Sequence, residues 1–147
     1  MPANTAPIFP VAPYAAFTDL SAVSACTTRA PTATASLAAA NIFQLTAAST
    51  NGLRIDTIRV KGSSTSITAP TAAQTVMIWH WDGTKAWPLQ EIAITLTTPA
   101  NNVASFEGVA TFTDLVLPPT HCLYVSTTIT TTASTTALVV KASGGAY

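Results

Sequence analysis

The sequence predicts an all-β protein, an antiparallel β-sandwich of seven to eight strands. Residues 74–96 form the clearest hairpin in the chain, short strand-type runs recur along its length between turn signals, and no segment carries a sustained helical period. Two packed antiparallel sheets are the economical way for such runs to bury their apolar residues. No repeat of fixed period is present, which argues against a solenoid or propeller.

The hairpin reads QTVMIWHW, DGTK, AWPLQEIAITL and contains all three tryptophans. Asp-Gly between apolar runs is a strong two-residue turn signal. With Asp82-Gly83 as the loop, Trp81 faces Thr84. Alternation then puts Val76, Ile78, Trp87 and Leu89 on one face and Met77, Trp79, Trp81 and Ile92 on the other. Both faces are apolar, so the hairpin is expected either inside its own domain or covered on its second face by another chain.

The N-terminal residues carry prolines at 2, 7, 10 and 13, which favour an extended arm that cannot join a central strand. Residues 1–17 are therefore read as an arm and 18–147 as a single β-sandwich domain. Ile8, Phe9, Val11, Tyr14 and Phe17 have no local core and are expected to dock, preferably on a neighbouring copy. Residues 18–35 read as a weak strand and a loop. Residues 36–48 have alanine-rich helix propensity, but they run into Asn51-Gly52 and a β-type segment and are read as a strand of a hairpin. In LRIDTIRVKG the apolar residues fall at 53 and 55 and then at 58 and 60, and this change of parity predicts a β-bulge near Asp56-Thr57. Residues 62–73 read as a Ser/Thr/Pro surface loop.

After the loop TTPANN, residues 103–112 read as a strand of small residues bracketed by Phe106 and Phe112. DLVLPPTHCLYVS reads as a strand, a Pro-Pro corner and a second strand whose Cys122, Tyr124 and Ser126 oppose Leu123 and Val125. The Thr-rich run to residue 136 and the following ALVVKAS suggest a final hairpin.

Composition narrows the functional classes. Only 8% of the 147 residues are charged and 48% are hydrophobic, and Thr and Ala make up about a third of the chain. Ordinary soluble proteins carry roughly 25% charged residues. Six basic residues balance six acidic ones, so little self-repulsion keeps copies apart. The one basic cluster, Arg54, Arg59 and Lys61, is too sparse to track phosphates, and nucleic acid is not an expected partner. The first residues lack a basic n-region and no apolar run approaches a membrane span, so a soluble protein made in the cytoplasm, with no membrane partner, is expected.

The titratable inventory predicts no enzyme, no cofactor and no metal site. His80 and His121 are far apart with no HxH or HExxH spacing. Cys122 beside His121 on a strand would point away from it, and Cys26 and Cys122 are read as reduced thiols rather than a bridge. Glu91 and Glu107 are the one carboxylate pair that adjacent strands could bring together. Trp81 and Trp87, flanking a turn with Asp82 and Lys85, could stack on a sugar ring; aromatic packing in a core or subunit contact is the favoured reading.

The Pro-rich start, LRIDTIRVKGSST, IWHWDGTKAW and FTDLVLPPTHCLYVSTT together resemble small virion proteins of tailed bacteriophages. LVLPPTHCLYVS in particular is similar to the strand, corner, strand element of jelly-roll trimers. The resemblance implies a jelly-roll-like sandwich in the virion, made in the host bacterial cytoplasm and working as a capsid decoration or cement subunit. It also implies a homo-oligomer, expected to be a trimer, in contact with the major capsid protein or other virion proteins. Ile8, Phe9, Val11, Tyr14, Phe17, Trp79, Trp81 and Trp87 are the expected interface residues. The alternative is a carbohydrate- or receptor-binding module of a tail, neck or appendage.

Overall fold

A computed structural model describes residues 10–147. Nine strands form two antiparallel sheets: β1 (Ala12–Asp19), β2 (Thr32–Ala33), β3 (Phe43–Gln44), β4 (Leu53–Gly62), β5 (Gln74–Trp81), β6 (Lys85–Ile94), β7 (Glu107–Leu117), β8 (Cys122–Thr127) and β9 (Leu138–Ala146). The four-stranded sheet has the order β1-β9-β4-β7 and the five-stranded sheet β2-β6-β5-β8-β3.

The pairing has one centre. β5 pairs with β6, β4 with β7, β3 with β8 and β1 with β9, so the first half of the chain runs back along the second half about the turn at Asp82. This long double ribbon is rolled so that its successive pairs fall alternately in the two sheets. With the two-residue β2 set aside, the result is the eight-stranded order of a jelly roll.

Between the sheets lies the main core. Leu53, Ile55, Ile58 and Val60 of β4 and Val140 and Ala142 of β9 meet Val76, Ile78, Ile92, Ile94, Leu123 and Val125 from the other sheet. The parity change in β4 is a bulge, for the register with both β7 and β9 shifts between Ile55 and Thr57, as the spacing of apolar residues predicts. Gly144 on β9 packs so tightly beside this bulge that a Cβ would run into the Arg54 carbonyl oxygen.

A second, smaller core covers the outer side of the five-stranded sheet. A single 3-10 turn, Thr34–Ser36, and the residues after it lay Leu37, Ala40 and Ile42 over Met77, Trp79 and Ala86. Asn41, in the left-handed region at φ 57°, ends this segment and donates through Nδ2 to the Ala25 carbonyl at 2.7 Å. The hairpin is thus sandwiched within its own chain.

Several expectations are corrected. Residues 36–48 are not a strand of a hairpin: they supply this covering turn and only the short β3, which pairs with β8, and Asn51-Gly52 joins strands of different sheets. The Thr-rich run ends no hairpin, because β8 and β9 also lie in different sheets. The strand expected at residues 103–112 and the one before the Pro-Pro corner are one strand, β7. At the hairpin tip Trp81 is opposite Ala86, not Thr84, and a register shift between Ile78 and Trp79 sets Ile92 opposite Val76, in the main core. The boundary at residue 18 falls inside β1. That strand tolerates Pro13 because it lies at the sheet edge, where one side of its backbone needs no partner. Ile8 and Phe9 lie outside the described residues.

Candidate functional site

The tip of the central hairpin is held by one carboxylate. Asp82 Oδ1 accepts hydrogen bonds from the Thr84 and Lys85 backbone N–H groups and from Thr84 Oγ1, each at 2.8 Å, and Oδ2 accepts from Trp87 Nε1 at 2.7 Å. These donors, the Lys85 N–H foremost, hold the carboxyl well below the usual carboxylate range. The indoles are equally committed. Trp79 Nε1 donates to Ser126 Oγ at 2.9 Å in the interior, and Trp81 Nε1 donates to Thr34 Oγ1 at 3.0 Å.

Register separates the two tryptophans beside the turn. Trp81, opposite Ala86, shares the side of Met77 and Trp79, whereas Trp87, opposite His80, shares the side of Val76 and Ile78. They form no common platform for a sugar ring, and the acid between them already accepts four hydrogen bonds within the turn. Trp79 is fully buried and cannot serve as an interface residue; of the two covers expected for the hairpin's second face, its own domain or another chain, the 3-10 segment and the residues after it supply the first.

Sequence distance concealed one pair of titratable groups. The β5–β8 register places His80 opposite Leu123, and His80 Nε2 lies 2.9 Å from His121 Nδ1, with ring centroids 5.1 Å apart. Both rings are half-buried. Burial, and then the neighbouring His121, push the His80 imidazole below its ordinary range. Only knowledge that β5 and β8 are neighbours would have found this pair. No third His, Cys, Asp or Glu completes a metal-binding group among the described residues.

The other titratable candidates are dispersed. Glu91 pairs with Arg29 and Glu107 with Arg59, in strands of different sheets, and they face opposite sides of the sandwich. Both cysteines are free thiols, and burial pushes the Cys122 thiol up, away from the reactive thiolate. Among the described residues no helix is long and apolar enough to cross a membrane.

The surface itself is unevenly built. All charged residues except Arg29, Asp82, Lys85 and Glu91 lie on strands of the four-stranded sheet. On its outer side Phe17, Lys141, Arg59 and Val109 form a row across β1, β9, β4 and β7. The Lys141 ammonium sits 5.4 Å from the Phe17 ring centroid. Large apolar side chains are exposed both here and on the loops. Of the expected interface residues, Val11 is 82% exposed, Phe17 66% and Trp87 45%, while Tyr14 packs partly against the main core and Trp81 partly against the second.

At one end of the sandwich, residues 20–25, 63–73, 95–106 and 128–137 form a neutral cap, while residues 26–31 run on along the five-stranded sheet to β2 beside the hairpin tip. None of the cap residues is charged, and Asp19, at the rim, lines a shallow depression with Ser63, Thr65 and Ala133. Ile67, 74% exposed, and Val103 line a depression of about 260 Å³ on the cap, and Leu96 is exposed nearby in the chain. Sequence reading marked 62–73 as a surface loop but did not single out these residues, because their isolation on a charge-free end depends on how the loops gather. The chain is an antiparallel β-sandwich of jelly-roll order whose distinguishing features are its surfaces. Comparison with protein-family models, curated proteins and solved structures gave no match.

Proposed function

We propose that this protein is a structural virion protein of a tailed bacteriophage, a decoration or cement subunit of the capsid that acts as a homo-oligomer, a trimer, by burying surface between neighbours. The observation that carries the reading is the division of its surface: charge is concentrated on one sheet, while the loop end exposes Ile67, Leu96 and Val103 with almost no charge around them. Large apolar groups left on a neutral face are the mark of a contact site. Jelly rolls are common among capsid and lectin domains, which agrees with the resemblance in sequence style.

The carbohydrate-binding alternative draws less support from the hairpin, because Trp81 and Trp87 are on opposite sides and both Asp82 oxygens are engaged in holding the turn. Cryo-electron microscopy of the particles, with a heat challenge of heads lacking the protein before and after its addition, tests the proposal. The expected result is ordered density on the outer shell and heads that survive higher temperature once it binds. A protein missing from purified particles, or one that binds heads without changing their stability, would overturn it.

A further inference from the structure

We infer that copies of this chain associate through the neutral loop end, and that its occupant is the same end of a second copy arranged around a rotation axis. The inference rests on the homo-oligomeric part of the proposed function and is independent of where on a virion the protein resides.

The end is a built surface. Ser63 N–H donates to the Ala137 carbonyl, Thr65 N–H to that of Ala133, Thr71 N–H to that of Thr97 and Thr131 N–H to that of Val23, each at 2.9 Å. These bonds tie the four loops to one another, so the side chains they present are held on a common scaffold and lose less freedom on docking. Ile67 and Val103 flank the same depression, ready to exchange water for apolar contact.

Charge identifies the occupant. A partner with ionised groups at the contact would leave them desolvated opposite hydroxyls and methyls, with no counter-charge to meet them. The partner surface must itself be neutral, and the same loop end of another copy is such a surface. Symmetry points the same way: close to a rotation axis each residue approaches its own copies, so any charge there meets its like. The outer face of the four-stranded sheet fails this requirement, since Lys61 and Lys141 have no acid within ion-pair distance among the described residues. The hairpin end fails it through Asp82 and Lys85. The loop end meets it around Ile67 and Val103, where no lining residue is charged, and Asp19 stands only at the rim with its carboxylate accepting from Ser21 N–H and Oγ.

Sedimentation equilibrium of the isolated full chain tests this, comparing wild type with Ile67→Asp, Val103→Asp and, on the charged sheet, Val109→Asp. Wild type and Val109→Asp are expected to remain oligomeric, while each loop variant associates about tenfold more weakly or worse. Loop variants that assemble like wild type, or dissociation caused by Val109→Asp alone, would overturn the inference and leave the homo-oligomeric reading standing. A wild type that stays monomeric at high micromolar concentration would overturn both, and loss of head attachment by the loop variants in that case would assign the end to the shell. Hydrogen exchange of the wild type guards against misfolded variants. Protection in 63–73 and 95–106 that rises with protein concentration is the expected result; concentration-dependent protection confined to other segments overturns the inference.

Discussion

His80 and His121 share a hydrogen bond, Nε2 to Nδ1 at 2.9 Å, that one neutral donor and one neutral acceptor can make but two imidazolium rings cannot. The His80 pKa is lowered in the fold, so between its ordinary value of 6.5 and the lowered one the unfolded chain binds more protons than the folded one. The stability contribution is therefore fully present above that ordinary value and declines as pH falls toward the folded pKa. Urea unfolding at a series of pH values between about 7.5 and 4.5 should show this decline, and His80→Gln should reduce it. An undiminished slope in the variant would assign the effect to other groups.

Trp79 should be the tryptophan on which stability depends most. It is fully buried, and Ser126 Oγ is the acceptor of its indole N–H. Trp79→Ala is expected to cost about 3–5 kcal/mol through the cavity it leaves. Ser126→Ala removes only an oxygen but strands a buried donor, at about 1–3 kcal/mol. Denaturant titration of both variants checks the order.

Gln74 offers the opposite case. It begins β5 on the side of Val76 and Ile78, is buried, and neither its side-chain nitrogen nor its oxygen has a hydrogen-bond partner among the described residues. Gln74→Met keeps the length of the side chain and removes the unsatisfied amide. A gain of about 1–3 kcal/mol in unfolding free energy is expected. A loss would mean that the amide is bonded in solution.

Gly144→Ala tests the close approach at the bulge. The added methyl would collide with backbone rather than with a side chain that can swing away, so β9 must separate from β4 to admit it. A large loss of stability, or no folded protein, is expected from thermal melts. Gly83→Ala is the contrast: nothing beyond its own chain neighbours lies within 4 Å of its Cβ position, and the cost there is only that of placing alanine at φ 101°.

Where apolar parity was local, the sequence was readable. The break between Ile55 and Ile58 located the bulge, and alternation along β5 and β8 separated the sides that became the two cores. Pairing was much less legible. Asn51-Gly52 and the Thr-rich run before Ala137 resemble hairpin turns in isolation, yet each joins strands of different sheets, because rolling the ribbon gives neighbouring strands in sequence distant partners in space. The alanines at 38–40 carried a helical signal that ends as a turn over Trp79, just after the 3-10 residues Thr34–Ser36. The His80–His121 pair and the neutral loop end depend on that same roll, and no window of residues contains either.

The pairing of β1 with β9 has a kinetic consequence. Ala12 is opposite Ala146, and on β9's other side Leu53 is opposite the same residue, so β9 enters the four-stranded sheet between two strands made long before it. During synthesis β4 must wait with one edge unpaired, and β1 has no partner in the sheet at all, until residues 138–146 leave the ribosome. Closure over such sequence separations is slow, and an open edge invites pairing with other chains meanwhile. Refolding yield should therefore fall with rising protein concentration, and a nascent chain halted before Leu138 should be digested by protease far more readily than the finished one.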